Sequence, residues 1–370
     1  MLILAGPVGE KEHDGGAHPE RPQRIKAALD GVADLRLGSD LVTVAARPAA
    51  REDLLRVHDA EYLDELESFS RRGGGDLDPD TYVTESSWDA ALRAAGAGIG
   101  ALEALEARGD GAAFVAVRPP GHHARRERGM GFCLLNNVAV AAAALVAKGS
   151  RVLVVDWDVH HGNGTQEIFW DEPNVLYTST HQWPLYPGTG RPEEVGGVDA
   201  IGTTLNVPVP PGATGDVLLQ AMDDVAAPVV DGFRPDWVLV SCGFDAHRAD
   251  PLAELELTSG DFAALARRAA GFAPSPGRLV LFLEGGYDLQ ALRLSTAATL
   301  GALLGDVPAP EPPTFGGPGA EAVRSAALDH RRAVDELSDR IVASGSLDAP
   351  DAEPPRWSGL PVRREPGGER

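Results

Sequence analysis

Residues 151–164 read RVLVVDWDVHHGNG. An unbroken apolar run, RVLVV, passes directly into a cluster that holds two aspartates and two histidines within six positions. Continuous apolar runs without alternation mark strands buried on both faces, so the stretch predicts a parallel sheet covered by helices on either side. The polar cluster then falls where such a strand ends. In an open parallel sheet the ligand crevice lies outside the carboxyl ends of the strands, which makes the same stretch a candidate for chemistry.

The design recurs on either side of this stretch. AAFVAV (112–117), NVLYTS (174–179), DWVLVS (236–241) and RLVLFL (278–283) are short apolar segments separated by Ala-rich stretches with helical signals. Residues 86–108 stop near Gly109, residues 136–148 begin at an Asn pair, and Thr258 with Asp261 forms a capping-box pattern. The expected architecture is α/β and three-layered, with no internal repeat of fixed period. Beyond Asp306 the composition shifts: five of the twelve residues 307–318 are Pro. The expected organisation is therefore one catalytic domain over 1–306. An extension over 307–370 follows, with a docked helix at 319–344 and a partly disordered end.

Bulk properties narrow the function classes. A chain of 370 residues with 43% apolar content can bury a sizeable core. Lys plus Arg total 33 against 55 Asp plus Glu, a net charge of −22, which argues against nucleic acid as a partner; such a surface would draw cationic substrates in, although acidic surfaces more commonly serve solubility alone. Two cysteines, Cys133 and Cys242, offer neither a disulfide framework nor a cysteine zinc knuckle. The N-terminus MLILAGPVGEKEHD has no basic leader region and no run long enough to span a bilayer. The expectation is a cytoplasmic protein with no membrane partner.

Four of the apolar segments run into reactive-looking loops, and in a parallel sheet these meet at one rim. Asp156, Asp158 and His160 are two apart and share a face of an extended chain, while His161 turns away. Asp158 and His160 offer a carboxylate and an imidazole, and Asp245 in CGFDAH offers a third ligand. Three protein ligands with a place left for water is the pattern of a catalytic zinc site. One or both of His122 and His123 in RPPGHHA are placed as general base and acid, with Asp156 and Asn163 available to orient them. Tyr287 in EGGYD could donate to a developing oxyanion. Phe132 in GMGFC and Tyr186 in PLYPG could wall a narrow channel for an unbranched alkyl chain.

The motifs RPPGHHA, GMGFCLLNN, DWDVHHGNGTQ, YPGTG, CGFDAHRADPL and LEGGYDL resemble, in order and spacing, the zinc-dependent histone deacetylase superfamily. HPERPQRI (18–25) and VHDAEYL (57–63) match its N-terminal pattern, and the resemblance spans roughly 10–305. It implies an arginase-deacetylase-like fold, with a central, mainly parallel sheet of about eight strands flanked by helices. It also implies one zinc per chain on Asp158, His160 and Asp245. His122 and His123 fall on the catalytic histidine pair, Asp156 on the support of the first, and Tyr287 on the catalytic tyrosine. Gly131, Phe132 and Tyr186 fall on the acyl-lysine tunnel. The backbone around Asp156, Asp158, His160, Ser179 and Thr180 matches a structural potassium site.

Two positions separate branches of the superfamily. The partner of His123 is Asn163 rather than an Asp, and an amide cannot stabilise imidazolium as a carboxylate does. Leu252 stands where a polyamine-selective branch has an acidic gatekeeper. Asp78 and Asp80 are equal candidates for an acidic rim residue. The expected activity is removal of acetyl or another short acyl group from an acyl-lysine peptide or protein, with acetylated amines such as polyamines as the alternative substrate. A non-catalytic acyl-lysine binder and a two-manganese ureohydrolase are the competing readings, and homo-oligomer formation is open.

Overall fold

Every apolar segment named above becomes a strand in the computed structural model, which describes residues 1–305 and 309–344. Ten strands are present among these residues. They are β1 (Leu2–Ala5), β2 (Leu41–Val44), β3 (Gly74–Asp78), β4 (Thr81–Thr84), β5 (Ala112–Val115), β6 (Val152–Asp156), β7 (Val175–Gln182), β8 (Thr204–Val209), β9 (Trp237–Cys242) and β10 (Leu279–Leu283). Eight form one parallel sheet in the order β2-β1-β5-β10-β9-β6-β7-β8, and β3 and β4 form a separate antiparallel hairpin.

Alternate residues of each central strand feed opposite cores. Leu153 and Val155 join one cluster with Val238 and Val240, while Val152 and Val154 join the other with Trp237 and Leu239. A strand apolar on both faces therefore needs helices on both sides. Helices Gln23–Asp34, Ser259–Phe272 and Leu289–Leu304 cover the first face, and Ser87–Arg108 and Asn137–Val146 cover the second. The helix signals act as read: Gly109 ends Ser87–Arg108 in the left-handed conformation, the Asn136 side chain accepts from Ala139 N–H, and Thr258 with Asp261 closes a capping box.

The strand order places a crevice. From β6 the chain moves through β7 to β8 at one edge, whereas from β9 it moves the other way, to β10. The loops leaving the neighbouring strands β6 and β9 thus diverge, which is the switch point where open α/β sheets bind ligands.

Helix Ala320–Ser344 lies on β8, with Val323 and Ala326 buried in the first core. Glu311 in the Pro-rich segment before it pairs with His247 at 3.0 Å and Arg248 at 2.9 Å. The boundary at 306–307 and the expected disordered end fall at 306–308 and 345–370, outside the described residues.

His58, from VHDAEYL, ties the segment after β5 in place. Its Nδ1 faces the Arg125 carbonyl at 2.8 Å and its Nε2 accepts Asn136 N–H at 3.0 Å, which commits both nitrogens in the neutral ring. Burial pushes its pKa down from 6.5 to about 4. The unfolded chain therefore binds this proton more tightly, so the contribution is complete above pH 6.5 and is lost as pH falls towards 4. Urea midpoints should decline over that window, with His58 accounting for up to about 3 kcal/mol. The decline should flatten in a His58→Gln variant; an identical slope in both proteins would refute the assignment.

Candidate active site

β6 ends at Asp156, and there the structure departs from the extended geometry read from sequence. The chain turns: Asp156 Oδ1 accepts Asp158 N–H at 3.1 Å and Asp158 Oδ1 accepts His160 N–H at 3.0 Å. Side-chain-to-backbone bonds of this kind compete with strand pairing and end it. Asp156 consequently faces His122 instead of sharing a face with Asp158 and His160. His161 does turn away, to Thr189 Oγ1 at 2.8 Å and Gln166 Oε1 at 2.9 Å.

Asp158, His160 and Asp245 offer ligand atoms within 4.8 Å of one another. His160 Nδ1 lies 3.2 Å from both Asp158 Oδ1 and Asp245 Oδ2. Main chain presses on the carboxylates: Gly285 N–H donates to Asp158 Oδ2 at 2.8 Å, and Val159 N–H to Asp245 Oδ1 at 2.9 Å. A Cβ at Gly285 would overlap Asp245 Oδ2, and one at Gly243 would overlap Asp158 Oδ2. Neither carboxylate is paired with a lysine or arginine among the described residues. Two carboxylates and one imidazole, converging and almost dry, are a donor set that fits a divalent cation such as zinc.

The histidine pair stands beside this cluster, its rings 4.0 Å apart. Glu284 Oε2 holds the loop by accepting Gly121 N–H at 2.7 Å and His122 N–H at 3.2 Å. His122 Nδ1 meets Asp156 Oδ2 at 3.0 Å, and His123 Nδ1 meets Asn163 Oδ1 at 2.8 Å. The electrostatics diverge. Burial opposes charge on His122, but the Asp158 and Asp156 carboxylates outweigh it and push its pKa up to about 10. Burial, with His122 and His160 adding positive charge, drives His123 well below its ordinary value. A cation held by Asp158 would offset part of the field on His122. The order of the two histidines still stands, since Asn163 brings no charge to His123.

Tyr287 is buried and its ring meets Phe132 edge-on, with centroids 5.7 Å apart. Burial drives its phenol pKa well above the ordinary 10, so the proton stays available for donation. Arg24 grips the loop through Gly286 O at 2.7 Å and through Glu284 O, and lies 4.9 Å from the Tyr287 ring centroid. Tyr287 N–H donates to Asp250 Oδ2 at 2.6 Å; Leu252 N–H donates to the other oxygen at 3.0 Å, tying Leu252 to the same loop.

Gly131 at φ 55° and Phe132 at φ 68° are both left-handed, and a side chain at Gly131 would sit 2.5 Å from His123 Cδ2 and 3.0 Å from Tyr186 Cε1. For Phe132 that conformation is strained, at a cost of about 1–3 kcal/mol. Its N–H is held by Thr81 Oγ1 at 3.1 Å and its ring by His18 at 4.6 Å. Tyr186 is 37% exposed and packs edge-on against His123 at 5.2 Å, placing it at the mouth. Asp80 and Asp78 are both close enough to Tyr186 to add to the effect of burial in raising its phenol pKa. A separate groove of about 1010 Å³ runs along helix Ala60–Arg71, with Asp76, Leu77, Phe69, Glu65 and Glu61 in its walls together with Asp78, the residue that also acts on Tyr186.

Sequence reasoning left several members of this site unassigned. Glu284 lay in the quoted LEGGYD, and its position at a strand end was the available signal. Arg24 and His58 lay in quoted motifs without a role. Tyr177 lay in an apolar run, and nothing in the sequence distinguished it from core.

Comparison with known proteins gives a consistent set of relatives. The histone deacetylase domain family matches residues 18–303. The chain is 41% identical over 301 residues to a probable deacetylase of Archaeoglobus fulgidus, covering 80% of this chain and 84% of that protein. It is 42% identical over 275 residues to a histone deacetylase-like amidohydrolase of Pseudomonas aeruginosa, covering 73% and 72%. The crystal structure of the HDA15 HD domain aligns with a TM-score of 0.80 and 34% identity over 94% of this chain and 99% of that one.

Proposed function

The chain belongs to the histone deacetylase family and is a hydrolase of the deacetylase and amidohydrolase kind; within that class, we propose a zinc-dependent enzyme that removes acetyl, or another short acyl group, from lysine side chains of polypeptides. The observation that carries this reading is the buried Asp158, His160 and Asp245 cluster faced by two histidines whose partners differ in charge. Those three residues would hold the ion. When bound, zinc supplies a Lewis acid for the amide carbonyl and acidifies water beside it.

The protein side chains supply the rest. His123 donates its Nδ1 proton to Asn163 and leaves the Nε2 lone pair free, so it takes the proton of the attacking water. Tyr287, kept protonated by burial, donates to the carbonyl oxygen as it becomes an oxyanion. The proton on His123 then passes to the amine nitrogen as the C–N bond breaks, releasing the carboxylic acid and the free amine. His122, held against the Asp156 carboxylate, is the histidine of the pair that favours positive charge at the same centre. Gly131, Phe132 and Tyr186 enclose the alkyl stem, Gly131 because any side chain there would fill the space beside His123.

Two features support a polypeptide over a small acetylated amine. The groove along helix Ala60–Arg71, whose Asp78 also acts on Tyr186, has room for several residues of chain, and the side chain at 252 is leucine, with no charge to attract a second ammonium group. A structural potassium ion near Asp156, Asp158, His160, Ser179 and Thr180, and a cytoplasmic location, remain parts of the proposal that rest on the sequence reading. The test compares an acetyl-lysine peptide with a monoacetylated diamine, with and without chelator, alongside metal analysis. Expected are preferential peptide hydrolysis, loss on chelation, recovery with zinc, and one zinc per chain. A zinc-loaded protein that leaves the peptide intact would defeat the proposal; preference for the diamine would defeat its substrate.

A further inference from the structure

Tyr177 is buried on β7 in the second core, the cluster that also holds Val152, Val154, Val175 and Phe282. A phenylalanine would fill such a place without bringing a hydroxyl that needs a partner. The hydroxyl has one: it donates to Asp156 Oδ2 at 3.1 Å. The register explains the meeting. β6 and β7 pair Val154 with Tyr177 and Asp156 with Ser179, so Tyr177 lies diagonally across from Asp156 on the same face, within reach of a long aromatic side chain.

Asp156 thereby receives three donors. Oδ1 takes Asp158 N–H at 3.1 Å, while Oδ2 takes the His122 Nδ1 proton at 3.0 Å and the Tyr177 hydroxyl. Gly162 closes over the junction. A Cβ there would lie 2.7 Å from the Tyr177 hydroxyl and 3.0 Å from His122 Nδ1, and would overlap Asp156 Oδ2. Tyr, Asp and His meet at one point that only a glycine can cover.

We infer that Tyr177 is a positioning residue for the reaction proposed above: its hydroxyl fixes the Asp156 carboxylate so that Oδ2 holds the Nδ1 proton of His122 and the ring's Nε2 faces the metal pocket. The inference rests on the amidohydrolase reading. His122 Nε2 lies 3.7 Å from Asp158 Oδ1, so the orientation that Tyr177 enforces is the one that brings His122 to the reacting centre. Without the hydroxyl, the carboxylate loses one of its three anchors and Oδ2 keeps a single side-chain donor.

The test uses Tyr177→Phe in the full-length, zinc-loaded enzyme. Expected are unchanged zinc content, a KM for acetyl-lysine peptide within about twofold of wild type, and a kcat lower by about 10- to 100-fold. In an Asp156→Asn background the same change should add less than about threefold, because the two residues act through one oxygen. The downfield Nδ1 proton resonance of His122 should move or exchange faster in Tyr177→Phe. Gly162→Ala, which forces the three groups apart without deleting any, should give the same signature and carries the test if Tyr177→Phe does not fold. A wild-type kcat in Tyr177→Phe, or a loss that is undiminished in Asp156→Asn, overturns the inference. If wild type hydrolyses no acyl-lysine peptide, the functional reading fails by itself; an unmoved His122 resonance would then overturn the positioning role independently.

Discussion

His123→Ala is expected to lower kcat for acetyl-lysine peptide hydrolysis by about 10²- to 10⁴-fold while zinc content and peptide affinity stay near wild type. The expectation follows from the contrast within the histidine pair. His122 faces the carboxylate of Asp156, whereas His123 faces the neutral amide of Asn163 and is surrounded by burial, His122 and His160, all of which oppose a charge on it. At neutral pH His123 is therefore the histidine with a free lone pair. Removing it takes away the proton acceptor without touching a ligand of the cluster. Steady-state kinetics with metal analysis on the same preparation decide the matter; a kcat within about tenfold of wild type would mean that the base is elsewhere.

Glu20→Gln should be the most damaging single change to stability away from the reaction centre, by about 3–5 kcal/mol. Glu20, Arg24 and Arg118 are all fully buried. The carboxylate meets Arg24 Nη1 at 3.0 Å, Arg118 Nη2 at 2.6 Å and also Arg118 Nε. Burial opposes its charge, but Arg118 outweighs that and holds its pKa down at about 2. Glutamine keeps the shape and removes the charge, which leaves two guanidinium groups in a dry interior with no anion at their junction. Urea unfolding at pH 7 should show the loss, and a change below about 1 kcal/mol would indicate that the two arginines are satisfied by the carbonyls they also contact.

Much of this was legible in the sequence, for a definite reason. Strands buried on both faces leave continuous apolar runs, so β5, β6, β7, β9 and β10 and the loops that follow them could be read directly. β1 was not, because four residues at a chain start look like any apolar terminus, and β8, with Asn206 and Pro208 inside it, breaks the apolar run. The side chains that converge at the candidate site could be singled out because they sit in loops, where a His pair or an Asp-x-Asp is unusual. Glu284, Tyr177 and Glu20 were not, since their roles depend on which strands are neighbours and on three-dimensional charge pairing. The turn at Asp156 was misread as extended chain because the side-chain bonds of Asp156 and Asp158 to the following amides compete with strand geometry.

The close approach of Gly243 and Gly285 to Asp158 and Asp245 has one more consequence. Peptide backbone packs against both acids and donates to each, Gly285 N–H to Asp158 and Val159 N–H to Asp245, which restrains them when the electric field between them changes. Gain or loss of the ion would then alter occupancy and leave the shape of the cup intact. On the zinc-dependent reading proposed above, activation would become a matter of supply and exchange of metal, separable from the folding of the chain.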